Sequence, residues 1–344
     1  MKRILVLGAG GAPSTNFVRS LKKIPNTYYL VGTDANPYYI PRSETDKTYL
    51  VPKVTDPSFF TILNTIIHKE KIQYVHIQND KEVGVISECR EKVEATLFLP
   101  AKETVRICQD KYSSYVRWEK AHLPLPKTMK IDTPDDLVSA LSEFNGMVWL
   151  RCTQGASGNG SLKVIDAKTG KAWIDFHNGW GNFTAAEVLE PNSVTWMSIW
   201  NHGDLVVAQG RKRLYWEMSH VSASGITGVT GAGVTVSDPV VDEISQKAIL
   251  AIDSKPHGLF GVDLTYDKKG VPNPTEINIG RFFTTHQFFS ELGLNMPAIT
   301  VALALGEQPT LPKKKINPLK PGWLWIRGMD FKPILIREEK IQKV

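Results

Sequence analysis

Short apolar runs alternate with amphipathic stretches through the first third of the chain. Residues 4–7 form an apolar run that stops at Gly8-Ala9-Gly10-Gly11, the pattern of a strand ending in a turn. Residues 16–23 put Phe17, Val18 and Leu21 on one side of a helix. Residues 28–33 predict a second strand closed by Asp34, residues 59–69 a helix with Phe60, Leu63, Ile66 and Ile67 at three-to-four spacing, and residues 74–78 a third strand. Strands alternating with helices predict a parallel sheet with right-handed crossovers, a doubly wound α/β unit of about 100 residues.

The pattern changes after Pro100. Residues 111–121 predict a helix that Pro124 and Pro126 end. Strand-like runs then dominate, at 147–150, 161–165, 183–189, 194–200 and 205–209, with Gly- and Ser-rich connections that predict antiparallel sheet. A helix over 241–253, strands at 260–266 and 275–279, and a helix near 297–305 follow. Residues 221–233, rich in Ser, Gly and Thr, read as a mobile segment near a substrate entrance. The tail holds Lys313-Lys314-Lys315, a solvated run, and Trp323-Leu324-Trp325-Ile326, a strand packing back on the body.

Composition removes whole classes of function. The chain has 344 residues, 42% hydrophobic and 22% charged, which excludes disordered, collagenous and coiled-coil proteins. That length predicts two or three packed units. Lys+Arg minus Asp+Glu is 41 − 35 = +6, a mild balance that favours anionic partners. Without a clustered basic stripe, no nucleic-acid partner is expected. Cys89, Cys108 and Cys152 lie outside any CxxC, so neither a disulfide framework nor structural zinc is expected. The apolar runs fall far short of the roughly 20 residues of a membrane span. No small-residue cleavage site follows the opening Met-Lys-Arg-Ile-Leu-Val-Leu-Gly. A soluble, cytoplasmic protein with no membrane partner is the expectation.

Three features could carry chemistry. The first is Gly8 to Gly11 with Asp34, but G-A-G-G-A-P lacks the third glycine of a dinucleotide fingerprint, and a tight turn in a nucleotide-free Rossmann-like domain explains it better. The second is Arg151 at a strand end, followed by Thr153-Gln154-Gly155-Ala156-Ser157-Gly158-Asn159-Gly160. A cation beside a glycine loop suits a triphosphate, with backbone donors folded over the phosphates, although an ordinary hairpin loop has the same look. The third is Asp263 facing Glu276 across a hairpin, with Asn278 on the same face as Glu276. Two carboxylates and an amide oxygen are hard ligands for Mg²⁺, the alternative being a polar exposed strand face.

Taken in order, Asp110-Lys111-Tyr112, Arg151 with its loop, Ala186-Glu187-Val188-Leu189 and Asp263…Glu276-Ile277-Asn278 resemble the ATP-grasp superfamily, in the branch similar to the carbamoyl-phosphate synthase large subunit. Gly32-Thr33-Asp34-Ala35-Asn36-Pro37-Tyr38, Tyr49-Leu50-Val51-Pro52 and Gln78-Asn79-Asp80-Lys81-Glu82 resemble the domain that precedes ATP-grasp in that branch. The resemblance covers residues 1 to about 308. It implies a Rossmann-like pre-ATP-grasp domain over 1–106 and a two-subdomain α+β ATP-grasp domain over 107–310. The lid subdomain would span about 118–186, and the tail 311–344 would pack back.

The resemblance also implies roles. Lys111 and Arg151 would hold ATP phosphates, and Gly155, Ser157, Gly158 and Gly160 would belong to the lid loop. Glu187, Val188 and Leu189 would give adenine its backbone contacts, and the ribose acid would be Glu190 or be lost. Asp263, Glu276 and Asn278 would bind Mg²⁺, and Arg281 would stabilise the transition state leading to an acyl phosphate. From their alternation, Arg211 and Arg213 would face phosphates or an anionic substrate, a solvated turn being the other reading.

Two departures bear on the site. Pro191-Asn192-Ser193 stands where an acidic ribose ligand is usual, and Asn278-Ile279-Gly280-Arg281 is one residue longer than the common Asn-Pro-Arg. The chain also has a single synthetase-like unit without a glutaminase, which favours a stand-alone ligase over carbamoyl phosphate synthesis. The expected reaction is ATP-dependent activation of a small carboxylate for capture by an amine, a thiol or a similar nucleophile, with a homodimer allowed. The rivals are an NAD(P)-dependent oxidoreductase using the first glycine loop and a non-catalytic nucleotide-binding module. His220 and His286 have no spaced partner and read as structural, as do Trp196, Trp200, Trp216, Trp323 and Trp325.

Overall fold

The computed structural model describes residues 1–155, 158, 160–328, 334–337 and 339, and it organises them around three sheets. The first comprises β1 (Lys2–Leu7), β2 (Tyr28–Asp34), β3 (Lys47–Leu50) and β4 (Tyr74–His76), all parallel in the order β3-β2-β1-β4. Crossovers run through α1 (Ala12–Lys22) and α2 (Phe59–Glu70), and α3 (Asp80–Glu88) follows β4. Ile4, Leu5, Val6 and Leu7 are completely buried, as a central parallel strand covered on both faces requires. β3 escapes the pattern because it is short and has no buried position.

Next come α4 (Lys102–Gln109) and α5 (Lys111–Lys120). Asp110 separates them: its carboxylate accepts from the Ser113 N–H at 2.7 Å and so caps α5, which fixes Lys111 in the first turn.

The second sheet is antiparallel: β5 (Thr128–Ile131), β6 (Val148–Cys152), β7 (Leu162–Val164) and β8 (Phe183–Ala186), in the order β5-β8-β6-β7. It has its own core of Ile131, Leu137, Leu150, Ile174, Phe183 and neighbours. Two helices that the strand-dominated reading omits cover it, α6 (Pro134–Glu143) and α7 (Ala167–Phe176). Their start signals are present in the sequence: Thr133 and Asp136 form a capping box, and Asp166 accepts from the Thr169 N–H. β8 also ends at Ala186, short of the expected 189.

The third sheet has seven strands in the order β13-β12-β9-β10-β11-β14-β15. They are β9 (Ser193–Asn201), β10 (Asp204–Trp216), β11 (Thr230–Val236), β12 (Gly258–Tyr266), β13 (Pro272–Ile279), β14 (Trp323–Ile326) and β15 (Ile334–Arg337). Three helices complete the body, α8 (Pro239–Leu250), α9 (Gln287–Glu291) and α10 (Met296–Ala304). The first and third sheets share one continuous core, in which Leu5, Val31 and Leu63 belong with Trp196, Phe260 and Val262.

β11 corrects the mobile segment expected over 221–233, since the last part of that run is a central strand. Its glycines are there for space. A Cβ at Gly231 would fall 2.1 Å from the Tyr215 ring, and one at Gly233 would fall 2.9 Å from Arg211 Cδ. β10 accordingly extends to Trp216, seven residues past the expected end. The tail's Trp-Leu-Trp-Ile run forms β14 on β11, as its apolar pattern predicts. No helix among the described residues is long and apolar enough to cross a membrane.

Candidate active site

A cleft of about 1240 Å³ opens between the second and third sheets. Its walls bring together Lys111, Arg151, Gly155, Gly158, Glu187, Val188, Leu189, Glu190, Arg211, Arg213, Asp263, Glu276, Asn278 and Arg281, which lie far apart in the chain. Ser157 falls outside the described residues. Gly160 stands behind the wall instead of in it, because a Cβ there would meet Cys152 Sγ at 2.2 Å. Its carbonyl accepts from Trp173 Nε1 at 3.0 Å, so its place is structural.

The floor is the third sheet. Glu276 pairs with Asp263, Asp263 with Thr195 and Thr195 with Arg211, giving one transverse row across β13, β12, β9 and β10. Directly opposed residues share a face, so these four side chains point the same way. Two residues along, Thr265, Ser193 and Arg213 form a parallel row on that face.

Hydrogen bonds link the first row into a chain. Arg211 Nη2 donates to Thr195 Oγ1 at 2.7 Å, and Thr195 donates onward to Asp263 Oδ1. Asn278 Nδ2 donates to Asp263 Oδ2 at 3.1 Å, and Arg281 Nη2 donates to Asn278 Oδ1 at 2.6 Å. Arg281 in turn grips Asp80 at the start of α3, Nε to Oδ1 at 2.6 Å and Nη2 to Oδ2 at 3.0 Å. Burial works against the Arg281 charge, yet the carboxylates of Asp80, Glu276 and Asp263 together outweigh it and hold the group above its ordinary value. Arg281 is therefore a clamped cation, with Nη1 left without a protein partner among the described residues. The extra residue before it is absorbed at Gly280, whose φ of +70° only glycine adopts without strain.

Cations face the acids across the cleft. Lys111 Nζ lies 3.6 Å from Glu276 Oε2 and donates to the Gly155 carbonyl at 2.7 Å, tying α5 to the glycine loop. Arg151 projects from β6. Burial lowers its pKa, Glu276 opposes that shift, and its Nε has no partner. Arg213 stacks over the Trp216 ring at 3.7 Å and lies 3.8 Å from Asp263. Trp216 thus belongs to the cleft and not to the core, unlike Trp196, Trp200 and Trp325.

Between β8 and β9 the chain runs without regular structure. The Glu187 carboxylate accepts from the Lys127 N–H at 2.9 Å and fixes the start of this linker. The N–H and C=O of Val188 and Leu189 have no partner among the described residues, which leaves two donors and two acceptors for a ligand. Glu190 is anchored through its own N–H to the Tyr266 carbonyl at 2.9 Å. Trp149 and Ile277 add apolar wall.

Asp263 and Glu276, opposed across two strands, are hard oxygen donors suited to Mg²⁺. No group of three His, Cys, Asp or Glu fit for a metal occurs among the described residues, and beside the two acids Asn278 adds an amide oxygen, which accepts from Arg281.

Several contributors were beyond sequence reasoning. Asp80, Thr195 and Trp149 sit in other elements, and only the tertiary fold brings them to the site. Trp216 had a signal, being on the same strand and three residues past Arg213. His286 is fully buried against Phe282, ring to ring at 4.7 Å, and burial pushes its pKa down to about 4, so it is a neutral packing residue.

The first glycine loop is differently built. Asp34 accepts from the Gly10 N–H at 3.1 Å and from the Asn36 N–H at 2.9 Å. A Cβ at Gly10 would fall 2.3 Å from the Tyr39 carbonyl oxygen, so the chain itself covers the turn. The loop's acid and glycine satisfy each other.

Residues 4–97 match the family described as PylC-like, N-terminal domain. The whole fold is similar to N5-carboxyaminoimidazole synthetase from Staphylococcus aureus, at TM-score 0.69 and 12% identity over 94% of this chain and 82% of that one. It is similar to the biotin carboxylase domain of Hydrogenobacter thermophilus 2-oxoglutarate carboxylase, a structure with MgADP, ADP and bicarbonate, at TM-score 0.72 and 13% identity over 94% and 73%. It is also similar to L-amino acid ligase from Bacillus licheniformis, at TM-score 0.68 and 11% identity over 94% and 79%. A PylC-like N-terminal segment and a three-sheet body shared with these proteins make this a chain of the ATP-grasp fold.

Proposed function

We propose that the chain is an ATP- and Mg²⁺-dependent ligase that activates a small carboxylate as an acyl phosphate and passes the acyl group to an amine, a thiol or a similar nucleophile. The observation that carries this reading is the convergence of Lys111 and Arg151 on Glu276, opposite Asp263 and beside the glycine loop, in one cleft. The fold relatives support it through the MgADP and bicarbonate of the biotin carboxylase domain and the ligase chemistry that the other names carry.

In this reading Lys111, Arg151 and Arg213 neutralise phosphate oxygens, and backbone N–H groups of the glycine loop cap them. Val188 and Leu189 offer adenine the unpaired N–H and C=O groups of the linker, and Glu190 takes the ribose. Mg²⁺ held by Asp263, Glu276 and Asn278 supplies Lewis-acid charge at the phosphates. Arg281, aimed by Asp80, faces the carbonyl region where negative charge develops, as preorganised donors must. Transfer of the terminal phosphoryl group to the carboxylate oxygen releases ADP, and the nucleophile then displaces phosphate from the carbonyl carbon. The same reading divides the chain into a pre-ATP-grasp domain at 1–106, an ATP-grasp domain at 107–310 with its lid at about 118–186, and the tail. It has the protein act on small molecules in the cytoplasm, alone or as a homodimer.

The test is a screen of the full chain with Mg·ATP against amino acids and small carboxylates, each with and without an amine. ADP and phosphate appearing together support the reading, whereas AMP and pyrophosphate contradict it. Dinucleotide oxidoreduction is disfavoured, because Asp34 and Tyr39 fill the turn such a cofactor would use.

A further inference from the structure

Arg211 is the most anomalous charge in the molecule. It is 1% exposed, yet no carboxylate lies within 4 Å of it among the described residues. Burying an unpaired charge is costly, so buried guanidinium groups normally carry an acid partner. Here the partners are hydroxyls: Thr230 Oγ1 at 3.0 Å and Thr285 Oγ1 at 3.2 Å from Nη1, and Thr195 Oγ1 at 2.7 Å from Nη2. The Phe283 ring lies 4.6 Å from the guanidinium carbon, and Gly233 reserves the space its stem needs. Burial first and then the neighbouring Arg213 charge push its pKa down to about 9, against the pull of Asp263, which it reaches only through Thr195.

A guanidinium has five N–H donors. The three threonines take three, leaving the Nε–H and one on Nη2, and Nε has no protein partner. Two remaining donors on one planar group match the two oxygens of a carboxylate. Arg211 is set apart from two of the expected nucleotide cations, although Arg213 is its neighbour on β10. Lys111 and Arg151 gather around Glu276, whereas Arg211 lies three strands away on β10, against Phe283 and Thr285. Phe283 and Thr284 line the cleft, as does Pro13 in the first turn of α1.

We propose that Arg211, cradled by Thr195, Thr230 and Thr285, is the seat of the carboxylate that this protein activates, and not a ligand of the nucleotide. The inference rests on the ligase reading for its reaction and extends it by giving the acceptor acid an address. The carboxylate enters as an anion and needs no proton transfer to bind. Phe283 bounds it on the apolar side, which favours an acid whose near neighbours are hydrocarbon.

The test uses melting temperatures of the full chain, because a ligand of the folded state alone must raise them. Native protein is titrated with acetate, propionate, benzoate or glycine against chloride at equal ionic strength, with and without saturating Mg·ADP, and inorganic phosphate is a separate arm. At least one carboxylate should raise the melting temperature, and the rise should persist with Mg·ADP present. Arg211→Gln should remove that rise while leaving the Mg·ADP rise within about twofold in apparent affinity. Once a substrate is found, the variant should raise its KM about thirtyfold or more, the loss typical of a desolvated charge partner. Because Arg211→Gln could fail to fold, the native experiment with Mg·ADP stands as a test without any variant.

Loss of the carboxylate effect on adding Mg·ADP would overturn the proposal. So would an Arg211-dependent response to phosphate alone, or no response to any carboxylate. A missing Mg·ADP effect in native protein would instead refute the ligase reading itself.

Discussion

Two glycine-rich segments follow strands in this chain, and they have opposite surroundings. Gly8 to Gly11 ends β1 and meets the acids Asp34 and Glu82, while Gly155 follows β6 and accepts from the cation Lys111 in the cleft that Arg151 also lines. In the first, the Gly10 N–H is already bonded and Tyr39 lies across the turn. In the second, a Cβ at Gly155 would meet nothing within 4 Å, while Gly158 packs against Ile226 and Gly160 against Cys152. Glycine content alone therefore does not identify a phosphate loop. What decides is whether the backbone donors are free and which charge stands beside them.

Substitutions can break this contrast, and the largest effect should come from the acids facing the second loop. Glu276→Ala removes a proposed metal ligand and should lower ADP release by about 100-fold or more. Asp34→Asn, at the first loop, should leave Mg·ADP affinity unchanged and cost about 1–2 kcal/mol of stability through its two backbone bonds. Unchanged turnover in Glu276→Ala would remove the metal site from the account.

The glycines themselves should separate next. Gly10→Ala drives a Cβ into a backbone carbonyl and should destabilise the fold by about 3 kcal/mol in denaturant titration, with Mg·ADP affinity intact. Gly155→Ala meets no atoms but must adopt φ +103°, for a cost of about 1 kcal/mol. Its effect should show in weaker Mg·ADP binding by calorimetry. Equal effects of the two on nucleotide affinity would erase the distinction.

A smaller effect concerns Glu82. Burial, reinforced by Asp34, pushes its carboxyl up to about 7. A raised acid binds its proton more tightly in the folded state, so the contribution of Glu82 to stability is fullest at low pH and falls as pH climbs from about 4.5 through 7. Glu82→Gln should abolish that decline, gaining up to about 3 kcal/mol on the native protein above pH 7 and little near pH 4. Parallel melting curves for the two proteins across this range would show that Glu82 does not carry the effect.

The parallel sheet was legible because its strands are buried on both faces and read as continuous apolar runs, as in residues 4–7. The two helices over the second sheet were harder to see. Their caps at Thr133 and Asp166 are local signals, but the strand-like runs on either side of them outweighed those signals. β11 was illegible for a different reason. Its glycines make room for Arg211 and Tyr215 on the adjacent strand, a requirement that exists only once the strands are paired. Among site residues, Asp263, Glu276 and Asn278 followed from strand alternation. Asp80 could not, since its role depends on a residue 201 positions away. The ordered motifs located the cleft, but the hydroxyl cradle of Arg211 required three strands and a loop to be seen together.

The central claim is that the second glycine loop, and not the first, belongs to a nucleotide site. Thermal melting of the full chain tests it most directly, with Mg·ADP and NAD(P)H titrated separately into native and Arg151→Ala protein. The account predicts a rise with Mg·ADP that Arg151→Ala largely loses, and no rise with NAD(P)H. A rise with NAD(P)H and no response to Mg·ADP would contradict it.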